Sequence, residues 1–247
     1  MTRRRTRSAL CVVVVCLAGC QGPEPAPTAQ PPGPTASPTA QGTWRASEPG
    51  SAAAAPVGVS TRADAAWVAS TAVATGIPAR AMAAYAGATL EVQAQYPACG
   101  LDWATLAGIG WVESHHGTYQ GGAIGDDGAQ TPPLIGIALD GTSTLTVRDT
   151  DEGRLDADTV WDRAVGPMQF IPSTWADHGS DGNGDGVADP QNIDDAALSA
   201  GRYLCAGGVD LTNPSDWMGA VASYNPSVSY NNLVAAATDG YRVSAAS

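Results

Sequence analysis

A mainly α-helical domain of the α+β class, with a small β-hairpin insertion, is the architecture this sequence predicts. Three observations predict it. After residue 58 most of the chain reads as alanine-rich or apolar segments of helical length, separated by capping residues, glycine and proline. One stretch, 118–160, changes character, with apolar or β-branched runs joined through Asp140-Gly141. The residues from 58 to 247 are enough for one domain with a sizeable core, and they hold no internal repeat.

Taken in order, residues 61–75 form a first helix with Gly76 in the capping position, and Pro78 opens a second that runs to about Tyr96, where Pro97 stops it. Asp102 is the N-cap of a third helix, and Leu101 and Leu106 have the spacing of a hydrophobic staple. Leu134 to Leu139 and Thr144 to Arg148 are expected to pair as the hairpin. Helices return near Pro172, over 194–206 and over 214–224. Asn213 caps the last of these, with Pro214 in its first position and Asp216 at N3. A final helix covers about 227–241.

Ahead of the domain, residues 1–19 read as an export signal, with Arg3, Arg4, Arg5 and Arg7 before a short apolar core from Leu10 to Ala18. That core is too short to span a membrane. Leu17-Ala18-Gly19-Cys20 has the form of a lipobox. It places a diacylglycerol on Cys20 and the protein at the outer face of the cell membrane, held there by lipid alone and facing the wall. An ordinary secretory peptide with a chance cysteine is the alternative. Residues 20–57 are an extended Pro/Ala-rich tether with nine prolines. In an oxidising compartment the two remaining cysteines, Cys99 and Cys205, are expected to pair. The formal charge is −12, with no lysine, which argues against a nucleic-acid partner. A monomer is expected.

Chemistry concentrates first at Glu113, one of three glutamates after residue 58. On a helix it shares a stripe with Leu106, Ile109 and Gly110. A carboxyl at the mouth of an apolar wall has its charged form disfavoured, the condition for a general acid. The plain alternative is a glutamate satisfied by a local hydrogen bond. The second signal is Gly166-Pro167-Met168-Gln169-Phe170-Ile171-Pro172. Here a polar amide sits in a fixed turn and can offer a donor and an acceptor to a sugar or acetamido group. The bland reading is a packed turn with a structural glutamine.

The third signal runs from Asp181 to Asp189. Asp181, Asn183, Asp185 and Asp189 put side-chain oxygens at positions 1, 3, 5 and 9, with Gly186 at 6 and the Val187 carbonyl at 7. That is the EF-hand order, and it predicts a structural Ca2+ with no cofactor in catalysis. Asn192, at the twelfth place, cannot chelate through two oxygens, so Asp194 or Asp195 closes a longer loop; Asp195 is taken as that ligand. A solvated acidic turn is the alternative. His115-His116 lacks a third ligand at useful spacing and reads as a surface or substrate-contact pair rather than a metal site.

Four ordered motifs, "AGIGWVESHHG", "DRAVGPMQFIPSTW", "DGNGDGVADPQNIDDAALSAGRYLC" and "ASYN", resemble those of the membrane-bound B type of lytic murein transglycosylase, within the lysozyme-like superfamily. The resemblance spans roughly residues 77–242. It implies a lysozyme-like helical domain with a groove for the glycan strands of peptidoglycan. It implies Glu113 as the sole acid/base, Ser114 as support for the carboxyl or the substrate, Gln169 near the scissile bond, and Tyr224 and Asn225 lining the cleft. Tyr119 is a further candidate for stacking on a sugar ring. The chain departs from the usual pattern at Pro226 and Trp111. Two other readings stay open: a lysozyme-type hydrolase, for which Asp126, Asp127, Asp149 or Asp151 could supply a second carboxylate, and a wall-binding module without activity.

Overall fold

The computed structural model describes residues 58–247. The expected signal peptide, Cys20 and the 20–57 tether lie outside the described residues. Seven helices, α1 (Ala65–Thr75), α2 (Ala79–Gln95), α3 (Trp103–Ser114), α4 (Pro172–His178), α5 (Ile193–Leu204), α6 (Pro214–Tyr224) and α7 (Val228–Ala245), dominate the described chain. Between α3 and α4 lie four short strands: β1 (Ala123–Ile124), β2 (Gln130–Thr131), β3 (Ile135–Ala138) and β4 (Arg163–Val165). The mainly α class with small sheets is the one expected. No helix of the described residues is long and apolar enough to cross a membrane.

Capping sets the helix starts. α1 begins later than the sequence suggests because Asp64 caps it, accepting the Trp67 N–H at 2.8 Å, and a short 3-10 turn, Val59–Thr61, takes the residues before it. Asp102 caps α3 by accepting the Thr105 N–H at 2.9 Å. Asn213 and Ser227 do the same for α6 and α7.

α3 is the central rod. Ala104 to Gly110 are all buried, so the helix is apolar around its whole circumference, as a core helix must be. It packs most extensively against α7. The approach is close because of Gly108: a Cβ there would lie 2.3 Å from Thr238 Oγ1 and 3.0 Å from the Val234 carbonyl. Gly110 does the equivalent for α2, where a Cβ would stand 2.1 Å from the Tyr85 hydroxyl. Met82, Tyr85, Leu106, Ile109, Met168, Ile193 and Leu204 fill the core around this rod. α2 and α5 are joined by a buried two-toothed pair, Arg80 donating to the two oxygens of Asp194 at 2.7 and 2.8 Å.

The insertion pairs differently from the expected hairpin. Residues 144–148 do fold back through Asp140-Gly141, with a bridge between Asp140 and Thr146. The ladder partner of β3, however, is β4, antiparallel, with Ile135 opposite Val165. The reason is a three-way junction. The Leu139 N–H donates to the Asp162 carbonyl, the Val147 N–H to Leu139 and the Asp162 N–H to Val147, at 3.0, 2.8 and 3.1 Å. This ring of bonds ends the hairpin register after one bridge and leaves the rest of β3 to β4. β1 and β2 form a second small antiparallel pair.

Cys99 and Cys205 are bonded, as expected, and tie the α2–α3 connection to the end of α5. Their separation of 106 residues makes the closed loop long, so replacing both by serine is expected to lower unfolding free energy by about 4 to 5 kcal/mol. Urea titration of the two proteins measures it; a loss below about 1 kcal/mol contradicts that account.

Candidate active site

Glu113 stands one residue from the end of α3, half-buried, at the edge of the core. Its Oε1 accepts a hydrogen bond from the Tyr230 hydroxyl at 2.5 Å. Tyr230 is buried on α7, so the α3–α7 packing is what delivers its phenol to the carboxyl. Burial pushes the Glu113 carboxyl from its ordinary 4.5 up to about 7, while the Tyr230 bond pulls it back down. A carboxyl poised in this way can change its protonation state near neutral pH. Tyr230 was not picked out by the sequence reasoning. A tyrosine six residues beyond Tyr224 has no local pattern to mark it.

The chain reverses directly after α3. His115 and His116 both take left-handed backbone angles, φ 50° and 59°, uncommon for residues other than glycine. This turn separates the pair, against the expectation that both are surface or substrate contacts. His115 is exposed and stacks on Trp111 with ring centroids 4.2 Å apart. His116 turns inward and is buried between two phenols, Nδ1 at 3.1 Å from Tyr85 Oη and Nε2 at 2.7 Å from Tyr241 Oη. Burial, helped by the neighbouring His115, holds its pKa down at about 3, so the ring stays neutral. Its role is to pin the end of α3 to α2 and α7.

Ser114 also departs from its expected role. It is buried, donates to the Pro167 carbonyl at 2.6 Å and accepts the Gly117 N–H at 2.8 Å. Both functions of the hydroxyl are engaged within the protein, so it clamps the Gln169 loop to α3 and does not support the carboxyl. The loop itself is tight. Val165 and Phe170 exchange backbone bonds of 2.8 and 3.0 Å, and Gly166 has φ 78° with Pro190 packed where a Cβ would stand. Gln169 lies at its tip in a left-handed conformation, φ 49°, its Nε2 donating to the Gly166 carbonyl at 2.9 Å. Tyr224, at the end of α6, holds the loop from the other side by donating to the Met168 carbonyl at 2.8 Å.

Gln169 and Tyr224 therefore meet at one loop, to which Ser114, the neighbour of Glu113, is also bonded. A cavity of about 160 Å³ opens beside it, lined by Leu145, Gln169, Thr174, Tyr203, Tyr224 and Pro226 among others. Glu113 is not among its lining residues and reaches the same loop through Ser114. Asn225 is placed at the α6–α7 corner, where its side chain accepts the Ser227 N–H at 3.0 Å, a turn role instead of the expected cleft contact. Tyr119 is half-exposed, edge-on to His115 with centroids 5.9 Å apart, and touches neither Gln169 nor Tyr224 by any hydrogen bond or ring contact.

The expected cation loop is folded by its own side chains. Asp181 accepts the N–H groups of Gly184 and Gly186, Asn183 that of Asp185, and Asp185 that of Val187. Asp181, Asp185 and Asp189 are exposed oxygen donors of the hard type calcium takes. Asp195 differs from the expected closing ligand. It is fully buried, and its two oxygens accept the N–H groups of Gly182, Asn183 and Asp189 at 2.7 to 2.9 Å. Burial still leaves its pKa raised to about 6. It shapes the loop from beneath. Among the described residues, the carboxylates whose ligand atoms crowd together are instead Asp149, Asp151 and Asp162. These bond to neighbouring backbone N–H groups and to Thr150.

A family model described as Transglycosylase SLT domain matches residues 144–218. The matched stretch holds Gln169 and the 181–189 loop and ends within α6; it covers well under half of the chain and excludes Glu113, Tyr224 and Tyr230. The mainly helical architecture agrees with the lysozyme-like fold that the four motifs imply. No curated protein and no solved structure matches the chain significantly.

The raised carboxyl has a consequence for stability. Between the ordinary 4.5 and about 7 the folded protein holds a proton at Glu113 that the unfolded chain has released, so this group's contribution is full below 4.5 and is lost as pH rises through 7. Glu113→Gln is expected to raise the melting temperature relative to the parent at pH 8 and to change it little at pH 4.5. Calorimetry at the two values measures the difference; an equal change at both rules out a buried, shifted carboxyl.

Proposed function

We propose that this chain is a peptidoglycan lytic transglycosylase that cleaves the β-1,4 bond between N-acetylmuramic acid and N-acetylglucosamine without consuming water. Glu113 is its single acid/base. One observation carries the reading: a carboxyl raised to about 7 and held by one phenol, whose neighbour Ser114 is bonded to the loop that presents Gln169. The match of residues 144–218 to a transglycosylase domain supports the substrate class.

With one Glu113 oxygen accepting from Tyr230, the other is free to carry the proton and give it to the glycosidic oxygen. The substrate's own acetamido group stabilises the oxocarbenium-like centre. Ionised Glu113, now steadied by the Tyr230 hydroxyl, takes the proton of the C6 hydroxyl, and that oxygen closes on C1 to leave a 1,6-anhydromuramic end. The acids that could act as a second carboxylate are engaged or remote in role. Asp127 accepts the Ala129 N–H, Asp149 and Asp151 shape a loop, and Asp126 is exposed. That favours the one-carboxylate route over a two-carboxylate hydrolysis.

We place this activity outside the cytoplasm, on an enzyme tethered through Cys20 to the outer membrane face, because of the signal and lipobox pattern in residues 1–20. A calcium ion on Asp181, Asn183, Asp185, Val187 and Asp189 has a structural role, ordering the approach to α5. It takes no part in the chemistry.

Purified sacculi digested by the enzyme are expected to release muropeptides one water lighter than reducing-end fragments, as read by mass spectrometry. Reducing ends alone identify a hydrolase. Glu113→Gln is expected to abolish cleavage while still binding sacculi. Tyr230→Phe removes the bond that lowers the Glu113 pKa, so the alkaline limb of the pH–rate profile should move upward while the maximal rate falls by roughly 10-fold or more. For the cation, adding a chelator is expected to lower the melting temperature and calcium to restore it. An unchanged transition with no calcium in the purified protein removes the site.

A further inference from the structure

A sizeable cavity beside the described core lies at the opposite end of α3 from Glu113. It encloses about 550 Å³ between the start of α6 and the last turns of α7, and Asp102, Thr212, Trp217, Met218, Asp239 and Arg242 line it. A second cavity, of about 260 Å³, adjoins it across Asp102 and is lined by Trp67, Trp103, Asp64, Gln93 and Leu90. Asp102 and Glu113 are eleven residues apart on one helix, so about 16 Å separates this face from the catalytic carboxyl.

Three of the chain's seven tryptophans therefore border two cavities that share Asp102, one on either side of its pair with Arg242. Their rings are fixed. The Trp217 Nε1–H donates to Thr105 Oγ1 at 3.0 Å, and Trp67 meets Trp103 edge-on with centroids 5.8 Å apart. Trp67 is 39% exposed, Leu90 46% and Met218 40%, an amount of apolar surface that folding leaves in water at one place. Between the rings, Arg242 gives Asp102 Oδ2 two bonds, of 2.8 and 2.6 Å, and Asp239 one of 3.2 Å. Three of its five N–H groups are thus engaged, and the half-exposed guanidinium keeps two more for a ligand. Exposed Asp239 and the carbonyl oxygen of the Gln93 side chain add acceptors at the rim, while the Gln93 Nε2 already donates to the Leu101 carbonyl and the Thr212 hydroxyl to Asp210.

We infer that this face is a second glycan-binding site, taking neutral N-acetylated sugar rings of a strand across Trp217, the Asp102–Arg242 pair and the Trp67–Trp103 corner. The chemistry selects that class. Flat, immobilised aromatic walls suit the apolar faces of pyranose rings, and planar carboxylate and guanidinium groups suit their hydroxyl and amide edges. Asp64, Asp102 and Asp239 outnumber Arg242, so the face offers no net positive charge by which to select an anionic ligand over neutral sugar rings. The inference shares its ligand class with the proposed function but uses no catalytic residue. It gives the enzyme a hold on the glycan network that survives each cleavage, and two linked contacts raise retention more than either alone.

The test titrates the full chain carrying Glu113→Gln with N-acetylglucosamine tetramer and follows the indole N–H signals by NMR. The signals of Trp67, Trp103 and Trp217 are expected to shift, each identified by its single replacement. Trp67→Ala with Arg242→Gln, both at exposed positions, should weaken binding to sacculi at least fivefold and leave the rate on a short soluble muropeptide unchanged. Shifts confined to the surroundings of Gln169, or sacculus binding unaffected by the double replacement, overturn the site. The proposed reaction fails separately, through the Glu113→Gln cleavage assay, whatever these signals do.

Discussion

The close approach of α7 to α3 is the constraint on which the rest of the described structure depends. Two helices come near enough for backbone to meet side chain only where one of them lacks a Cβ, and Gly108 supplies that gap against Val234 and Thr238. The same approach carries the Tyr230 phenol onto Glu113 and the Tyr241 phenol onto His116. A carboxyl left at the edge of an apolar helix without that phenol would be costly in its ionised form; with it, both protonation states are accessible near neutrality. Packing and chemistry are one arrangement here.

The loop that presents Gln169 is positioned by hydroxyl groups that donate to its backbone. Ser114 grips it from α3 through Pro167, and Tyr224 grips it from α6 through Met168. Gly166 lets it lie flush against Pro190. In the proposed reaction a loop held this rigidly would need little reorganisation when charge develops. The buried Tyr85–His116–Tyr241 chain has a similar purpose one layer further in. It fixes the reversal after Glu113 at the cost of two left-handed residues.

Acidic side chains are numerous, yet most of them act as local backbone caps. Asp102, Asp149, Asp151, Asp156, Asp181 and Asp195 each accept N–H groups from neighbouring loops. This explains how an acidic chain can hold one carboxyl in isolation: the others are anchored where they fold turns. It also separates the two ends of α3, with a raised carboxyl at one and tryptophans around a fixed ion pair at the other.

Local signals were legible from the sequence by itself. The capping roles of Asp102 and Asn213 and the helix stops near Pro97 and at Gly76 follow from short-range rules, and the Cys99–Cys205 pair from their being the only two cysteines after Cys20. What escaped that reading was decided by contacts between residues far apart in the chain. Tyr230 reaches Glu113 across 117 positions, and β3 pairs with β4 rather than with the nearby 144–148 segment because Asp162 bonds both Leu139 and Val147 at a junction between them. Ser114, Asn225, His116 and Asp195 kept their places but changed their roles, since a hydrogen-bonding group takes whichever partner the folded chain brings to it. Sequence determined which groups were available; only the tertiary packing decided which were already satisfied and which were left to act.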